Sequence, residues 1–234
     1  TLFRSKHLEA HEADCLARVP RFRPGSSDRL TVLSFGGGQD STAILYRMLF
    51  DQELASRYIP GRFIVCMADT GNEHPATWLH TAFCERLCQA AGVAFFLLRH
   101  EDGFHSEKWQ TLTHFYERND TIGSKAYPKT CTMRLKLDPF YNWLNQLTAD
   151  ELSVAASRKN GLYEYASRFG KVAVWIGIGA DEDRLSDPKR EPIWMQRTIL
   201  KQYPLIEWGW DRQRCQLYIA ELGLPLPPPS NCML

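Results

Sequence analysis

The sequence predicts an α/β fold in which helices cover both faces of a parallel sheet. Short apolar runs of the kind found in buried strands alternate along the chain with longer segments of helical spacing. Such alternation is typical of doubly wound parallel sheets. Ligands of these sheets lie at the carboxyl ends of the strands, near the point where the strand order reverses. We therefore expect the loops at 36–42, 68–74 and 179–184 to converge on one crevice.

The first half of the chain supplies three of the predicted strands. Residues 1–29 are polar and are interpreted as an N-terminal extension with a short helix followed by a loop. Three apolar runs are expected to be buried strands: residues 30–35, 62–67 and 93–98. Helical spacing over 41–49 follows the first strand. A second helix is expected to begin at Pro75, a favourable first helical position, and to stop at Gly92.

The second half is predicted to be richer in loops. Residues 100–130 are polar and irregular, with room for one short helix. Helices are expected over residues 138–147, 151–169 and 211–222. A fourth strand is predicted at 171–178, and residues 180–205 are predicted to be loop-rich. Residues 30–234 are therefore expected to form one domain with a loop-rich C-terminal portion.

The bulk composition is that of an ordinary water-soluble protein. Of the 234 residues, 44% are hydrophobic and 24% are charged, and the net charge is +1. This balance argues against a surface coated in positive charge for indiscriminate nucleic-acid binding. No run approaches the roughly 18 apolar residues of a membrane helix, and no secretory signal opens the chain, so a cytoplasmic protein is expected. Because Thr1 is not Met, residues are expected to be missing before it.

The sharpest functional signal lies between the first strand and its helix, in Phe35-Gly-Gly-Gly-Gln-Asp-Ser-Thr42. Three glycines let the backbone turn tightly and bring its N–H groups close to phosphate oxygens. The following helix N-terminus adds unsatisfied donors and the positive end of a dipole. Ser41 and Thr42 add hydroxyl donors, and Asp40 is expected to cap the helix and to orient the loop or a metal's water. A purely structural glycine turn is the alternative.

The loop differs from both common nucleotide-binding glycine motifs, since it lacks Gly-Lys-Ser/Thr and has the wrong spacing for a dinucleotide fingerprint. It resembles the PP-loop of the ATP pyrophosphatase and phosphoadenylylsulfate (PAPS) reductase superfamily, Ser-Gly-Gly-x-Asp-Ser-Ser/Thr. Gly36 stands where that motif has its leading serine, which removes one hydroxyl but leaves the backbone cradle. The rest of the motif is matched by Gly37, Gly38, Asp40, Ser41 and Thr42. The resemblance implies an adenine nucleotide alpha hydrolase-like, Rossmann-like fold.

Four later segments are similar to the reductase-like branch of this superfamily, in the same order. They are Asp69-Thr-Gly-Asn-Glu-His-Pro-Ala-Thr77, Cys131-Thr-Met-Arg-Leu-Lys136, Gly179-Ala-Asp-Glu-Asp-Arg184 and Tyr203-Pro-Leu-Ile-Glu-Trp208. Together with the loop they span residues 30–234. Within the superfamily, these segments most resemble the sulfur-incorporating enzymes of bacterial DNA phosphorothioation.

The resemblance implies an ATP pyrophosphatase, which cleaves the bond between the α- and β-phosphates of ATP and leaves AMP on an acceptor so that sulfur can replace an oxygen. Mg²⁺ is expected, because phosphoryl chemistry needs charge neutralisation. The acceptor implied is the DNA backbone, with tRNA as an alternative. The partners implied are a cysteine desulfurase and other modification-system subunits, and a homodimer is a further expectation.

Within the resemblance, ATP is expected to contact the glycine loop and the end of the second strand. The expected ATP-binding residues are Ser34, Gly36, Gly37, Gly38, Gln39, Asp40, Ser41, Thr42, Met67 and Asp69. Asp40, Ser41, Lys136 and Arg184 are also expected to be catalytic. Lys136 and Arg184 are candidates for contacting the phosphates, and Arg134 is a weaker one. A solvated or ion-paired side chain is the alternative for each.

The seven cysteines fall into two groups. Five are expected to be small buried hydrophobes: Cys15, Cys66, Cys84, Cys88 and Cys215. Cys131 lies close in sequence to Lys129, Arg134 and Lys136, and nearby cations favour the thiolate. Cys131, as a candidate catalytic thiol, and Cys232 are interpreted as ligands of a 4Fe–4S cluster, as persulfide carriers or as inert thiols. A cluster normally needs four thiolates, and only these two are nominated.

Other side chains receive more ordinary interpretations. The histidines show no metal-ligand spacing and are expected at the surface or in helix caps: His74, His80, His100, His105 and His114. Tyr203, Trp208 and Trp210 are expected to pack in the core rather than to stack on a base. A group of basic residues is considered as one binding face: Lys125, Lys129, Arg134, Lys136, Arg158, Lys159, Arg168 and Lys171.

Three further functions compete with the leading one. A sulfonucleotide reductase would use a C-terminal Glu-Cys-Gly-Leu-His segment, which the sequence lacks. A tRNA thiolation enzyme would be expected to carry more basic charge or an added RNA-binding domain. The non-enzyme alternative is a subunit that senses ATP within a larger assembly.

Overall fold

Five parallel strands form one sheet in the computed structural model, which describes residues 6–23, 25–120, 132–182 and 191–228. The strands are β1 (Leu30–Ser34), β2 (Arg62–Ala68), β3 (Ala94–Leu98), β4 (Val172–Ile176) and β5 (Ile199–Gln202). Their order is β3-β2-β1-β4-β5, and every neighbouring pair is parallel. The order reverses between β1 and β4, since β2 and β3 lie on one side of β1 and the later strands on the other. The predicted parallel α/β fold is confirmed.

Helices connect the strands and cover the sheet. The α-helices of the described residues are α1 (Lys6–Arg18), α2 (Gln39–Phe50), α3 (Gln52–Tyr58), α4 (Pro75–Ala91), α5 (Leu112–Asn119), α6 (Asp138–Leu152), α7 (Asn160–Phe169), α8 (Ile193–Thr198), α9 (Pro204–Glu207) and α10 (Arg212–Glu221). A π-helix over Thr132–Leu137 leads into α6. Short 3-10 helices occur at His100–Asp102 and Ser157–Lys159. No helix in the described ranges is long and apolar enough to cross a bilayer.

The two faces of the sheet carry separate apolar cores. Successive strand residues point to opposite faces, so Leu33 packs in one core and Val32 in the other. Helices α1, α2, α4 and α10 contribute buried side chains to the first core, and α6, α7 and α8 contribute to the second. Strands covered on both faces need continuous apolar runs, which is why they stand out in the sequence. The sheet is therefore doubly wound, as predicted.

Several predicted boundaries agree with the structure. Helix α4 runs from Pro75 to Ala91, and Gly92 ends it with φ +79°. The last helix occupies Arg212–Glu221, with Asp211 as its N-cap. The predicted N-terminal helix is α1, which packs on α4 and buries Cys15 in the first core. The domain boundary at residue 29 stays a prediction.

Two predicted segments are wrong in detail. The helix predicted over 151–169 is interrupted, because α6 continues to Leu152 and the chain turns at Ser153 with φ +55° before α7 begins at Asn160. The segment 180–205 was expected to be loop-rich but contains β5, which pairs with β4 at the edge of the sheet. Helix α3 was also not predicted.

Candidate phosphate-binding cleft

A cleft of about 300 Å³ opens at the carboxyl ends of β1 and β4. Its lining includes the end of each strand, the glycine loop and four charged side chains from later elements: Ser34, Gly36, Gly38, Gln39, Asp40, Ser41, Glu73, Lys136, Ile176, Gly177, Glu182 and Arg212. The cleft lies where the strand order reverses, which is the position at which open α/β sheets bind their ligands. The structure thus brings together most of the predicted loop residues with Lys136.

Ser41 holds the glycine loop closed. Its Oγ accepts a hydrogen bond from the Gly36 amide (3.2 Å) and donates one to the Gly38 carbonyl (3.1 Å). Gly37 has φ +68°, and a Cβ at this position would lie 2.9 Å from Thr77 Cγ2. Glycine is therefore required at position 37 both for the backbone conformation and for the contact with α4. The Ser41 hydroxyl therefore stabilises the conformation of the glycine loop through these two hydrogen bonds.

The cap of α2 differs from the prediction. Gly38 is the N-cap and makes no side-chain cap hydrogen bond, while Asp40 lies in the first turn of the helix. The expectation that Asp40 is the cap is therefore wrong. Because the cap has no side chain, no cap oxygen competes for the first-turn amides that a helix leaves unsatisfied. This arrangement suits an anion at the start of α2.

Gly177 lets β4 approach the start of α2. A Cβ at this position would lie 2.8 Å from the Ser41 amide nitrogen and 3.2 Å from Asp40 Cβ. These distances are shorter than ordinary carbon contacts, so only glycine fits without displacing α2. Gly177 was not predicted as a site residue. The available signal was a glycine placed directly after a buried strand.

Helix α10 begins at the same cleft. Asp211 caps it by accepting a hydrogen bond from the Arg214 amide (2.7 Å). The side-chain amide of Gln39 donates to the carbonyl oxygen of Arg212, which joins the starts of α2 and α10. Arg212 itself lines the cleft and was not predicted. Its guanidinium group has the charge and donor geometry that phosphate groups prefer.

Lys136 lies in the cleft, as predicted, but it is ion-paired. Its Nζ is 3.3 Å from Oε1 of Glu73, a side chain that is only 3% exposed. The same Glu73 oxygen accepts a hydrogen bond from Thr70 Oγ1 (3.1 Å). Glu73 was not predicted as a site residue. Arg134, the weaker candidate, pairs with Asp138 (3.0 Å) and does not line the cleft.

Four predicted ATP contacts lie away from the cleft lining: Gly37, Thr42, Met67 and Asp69. The Thr42 side chain is fully buried, and its hydroxyl is 2.9 Å from His80 Nε2, so it does not serve as a donor in the cleft. Met67 is 1% exposed, and its sulfur accepts a hydrogen bond from Thr81 Oγ1. The Asp69 carboxylate accepts the Gly71 amide (2.6 Å), and burial raises its pKa. Contacts of Met67 and Asp69 with a nucleotide stay predictions.

Two of the histidines are core residues and not surface or capping ones. His74 caps α4 as expected, since its Nδ1 accepts the Ala76 amide (3.1 Å). His80 and His105 are instead 5% and 9% exposed. Burial lowers the pKa of His80 to about 4, so the ring that contacts Thr42 is neutral near pH 7.

Trp208 and Trp210 pack internally, as expected. The Arg47 guanidinium carbon lies 4.2 Å from the centre of the Trp208 ring and 4.3 Å from that of Trp210. These distances indicate cation–π packing. The two indoles therefore support α2 from the first core and are not free to stack on a base.

The predicted basic face is largely engaged by protein groups in the described residues. Lys159 contacts the Tyr141 carbonyl (3.3 Å) and Asn142 Oδ1 (2.7 Å). Lys171 donates to the Gln196 carbonyl, and Arg168 pairs with Glu164 within its own helix. Lys125 and Lys129 lie outside the described residues. Of these three side chains only Arg168 is ion-paired within the part of the chain that the structure describes, because the partners of Lys159 and Lys171 are uncharged oxygens. The nucleic-acid-binding face stays a prediction.

The predicted sulfur-handling thiols, Cys131 and Cys232, lie outside the described residues, as does Arg184. The five remaining cysteines are buried, as expected. Burial raises the pKa of Cys84 and of Cys215 to about 12, which disfavours the thiolate that a metal requires. Nowhere in the described ranges do three His, Cys, Asp or Glu side chains come together to hold a metal ion. The described cysteines therefore do not fit a 4Fe–4S cluster.

Comparison with known proteins identifies a structural relative but no sequence family. No protein-family model and no curated protein matches the chain. Among solved structures, the U34-tRNA thiolase NcsA from Methanococcus maripaludis, determined with its [4Fe-4S] cluster, is similar over 97% of this chain and 68% of its own, with a TM-score of 0.51. The sequence identity is 13%, so the likeness concerns the fold. The chain therefore shares an α/β fold with this thiolase. In this chain the glycine loop, Lys136 and Arg212 line one cleft at the point where the strand order reverses.

Proposed function

We propose that the chain is a PP-loop ATP pyrophosphatase that activates an acceptor for sulfur incorporation. The observation that carries the proposal is the cleft at the ends of β1 and β4, where the start of α2 meets Lys136 and Arg212. A glycine loop, a helix N-terminus and two cationic side chains in one space suit a polyphosphate chain. The motif order in the sequence and the shared fold of a tRNA thiolase both support this assignment.

The proposed reaction transfers AMP. An oxygen of the acceptor attacks the α-phosphorus of ATP and forms a new P–O bond, and the bond to the bridging oxygen of the β-phosphate breaks. Pyrophosphate leaves with the electron pair of that bond. The protein's part is to position the chain and to neutralise the developing charge. Loop amides, Lys136 and Arg212 supply positive charge for that purpose.

Mg²⁺ is proposed to enter the cleft with ATP. Magnesium is usually held by one or two carboxylates together with substrate phosphates and water. Asp40 and Glu182 line the cleft and could supply such carboxylates. The ion would neutralise phosphate charge. In the described part of the chain no preformed three-residue metal site occurs, so phosphate oxygens are needed to complete its coordination.

Two acceptors are proposed. The first is the DNA backbone, in a bacterial phosphorothioate modification system with a cysteine desulfurase as sulfur source, on the strength of the motif resemblance. The second is tRNA, which is favoured by the fold likeness to a U34-tRNA thiolase. In both cases Cys131 and Cys232 are proposed to relay sulfur, as persulfide carriers or cluster ligands.

Pyrophosphate release from Mg²⁺-ATP tests the enzymatic claim. Asp40→Ala and Ser41→Ala are expected to lower the rate by about 100-fold or more, the scale on which preorganised phosphate-site groups act. Ser56→Ala is the matched control, because this serine is exposed on α3 and bonds only within its helix. ATP binding with background pyrophosphate release, even with DNA, tRNA and a desulfurase present, would indicate an ATP-sensing subunit and refute the proposal.

Mass spectrometry of nucleic acids from cells that lack the gene identifies the acceptor. Loss of phosphorothioate linkages from DNA would support the first candidate, and loss of thiolated nucleosides from tRNA the second. Restoration by the wild-type gene but not by the Asp40→Ala form ties the result to the cleft. Unchanged sulfur content in both nucleic acids would contradict a role in sulfur transfer to either of them.

A further inference from the structure

We propose that Glu73 is a positioning residue, which holds the ammonium group of Lys136 at the phosphates of the bound nucleotide. The inference rests on the proposed function and assigns a role to a carboxylate that the motif resemblance does not explain. Glu73 lines the cleft, yet its side chain is only 3% exposed. A buried negative charge next to a phosphate site calls for a specific partner.

Burying the Glu73 carboxylate costs free energy. A buried charge is tolerated when it is paired and hydrogen-bonded, and an unpaired carboxylate would also repel phosphate. Oε1 of Glu73 meets both requirements, because it accepts from Thr70 Oγ1 (3.1 Å) and lies 3.3 Å from Lys136 Nζ. Removing the lysine would leave a negative charge in the cleft. The two side chains therefore form one functional unit.

The direction of the effect follows from how each side chain is supported. Glu73 immediately precedes His74, the N-cap of α4, and its loop is tied down where the Leu112 amide donates to the Thr70 carbonyl (2.9 Å). Lys136 is 36% exposed on a flexible four-carbon stem. The carboxylate is thus the fixed member of the pair and the ammonium group the mobile one. Glu73 positions Lys136, and not the reverse.

The pairing leaves Lys136 able to bind phosphate. An ammonium group has three donors, so contact with one carboxylate oxygen leaves two for oxygens of the nucleotide. Without Glu73 the ammonium group would sample many positions, and a misplacement of about 1 Å can lower a rate by about 100-fold. Loss of Glu73 should therefore slow the reaction only while Lys136 is present.

A double-mutant cycle tests this dependence. Glu73→Gln keeps the size of the side chain and is expected to slow pyrophosphate release by about tenfold, and Lys136→Met by about 100-fold. The double variant should be no slower than Lys136→Met alone, because interacting residues are not additive. The same cycle is measured for ATP affinity. Effects that multiply to about 1,000-fold would overturn the proposal, as would a Glu73→Gln variant with wild-type rate and affinity.

Amine labelling without nucleotide provides a readout that does not depend on catalysis. Acetic anhydride should modify Lys136 several-fold faster in folded Glu73→Gln than in the wild type, as measured by mass spectrometry. Lys201, which pairs with Glu191 (2.6 Å) outside the cleft lining, is the internal reference. Glu191→Gln is the matched control, and it should speed labelling of Lys201 without changing pyrophosphate release.

The two readouts separate the two proposals. Unchanged labelling of Lys136 in a protein that releases pyrophosphate would overturn the role of Glu73 and leave the proposed function standing. A wild-type protein that releases no pyrophosphate would refute the proposed function, and the labelling rate together with the ATP-affinity cycle would then decide whether Glu73 positions Lys136. Thermal unfolding of each variant confirms that the comparison is made on folded protein.

Discussion

Single residues decide how closely the chain after β4 can approach the glycine loop. Gly177→Ala would place a methyl group 2.8 Å from the Ser41 amide nitrogen. We expect this variant to lose about 1–3 kcal/mol of unfolding free energy, as overpacked sites do, and to bind ATP more weakly because the start of α2 must move. Denaturant unfolding and ATP titration measure the two effects.

Gly36→Ala is the matched control for stability, because a Cβ at position 36 meets nothing within 4 Å. The control should unfold like the wild type. If Gly177→Ala is as stable as Gly36→Ala and binds ATP with wild-type affinity, the close approach does not constrain the loop.

The neutral ring of His80 contacts the hydroxyl of Thr42, the last residue of the glycine loop. Burial lowers the pKa of His80 from 6.5 to about 4, so the unfolded chain takes up a proton at higher pH than the folded protein does. The stability that the neutral ring contributes is complete above about pH 6.5 and is lost as pH falls towards 4. Linkage predicts about 3 kcal/mol for this shift.

The test compares the wild type with His80→Gln, which cannot titrate. Between pH 7 and pH 4 the unfolding free energy of the wild type should fall by about 3 kcal/mol more than that of the variant. Groups that titrate in both proteins, such as His105, cancel in this difference. Parallel pH curves for the two proteins would mean that His80 does not titrate on unfolding.

At the residue scale, the lining of the cleft was predictable from the sequence only where its residues lie in a short motif. The glycine loop and Lys136 lie in short segments, and both line the cleft. Glu73 lies in the matched segment 69–77, but its pairing with Lys136 is a long-range contact that the segment does not show, and Arg212 lies outside the matched segments. Gly177 matters because of what its missing side chain would touch, which no local pattern shows. Cys131, Arg184 and Cys232 stay predictions.

At the scale of elements, the start of α10 completes the cleft that α2 opens. Asp211→Ala removes the cap bond to the Arg214 amide (2.7 Å) and should cost about 1 kcal/mol of stability. It should also lower ATP affinity a few-fold, because Arg212 and the contact with Gln39 depend on this turn. Urea unfolding and ATP titration are the measurements.

Asp51→Ala provides a control of the same chemistry. Asp51 caps α3 by accepting the Leu54 amide (2.9 Å), and it does not line the cleft. A similar loss of stability with unchanged ATP affinity is expected. Equal losses of affinity in the two variants would show that α10 has no special relation to the nucleotide.

Elements were predictable where local signals agree with the tertiary structure. Helix α4 has proline at its start and glycine at its end, and both signals hold. The break after Leu152 occurs at Ser153 in a left-handed conformation, with no glycine or proline to mark it. Strand β5 has four residues, of which only Ile199 is buried, so its pairing with β4 and not its apolar pattern defines it. Tertiary contacts therefore override local preference at these sites.

At the scale of the whole molecule, the position of the cleft follows from strand order. The apolar runs predicted a parallel sheet, but their order in that sheet depends on long-range pairing that no single segment encodes. Once β4 pairs with β1 on the side opposite β2, the loops after β1 and β4 must diverge and leave a crevice. The glycine loop, the start of α10 and Lys136 are brought together by this topology.

A crystal structure with Mg²⁺ and the α,β-methylene analogue of ATP, which cannot be cleaved at that bond, would show where the phosphates bind. The account predicts that the phosphates lie against the amides of the glycine loop at the start of α2, within reach of Lys136 and Arg212. Phosphates bound away from this cleft, or no nucleotide at concentrations that saturate the protein in solution, would contradict it.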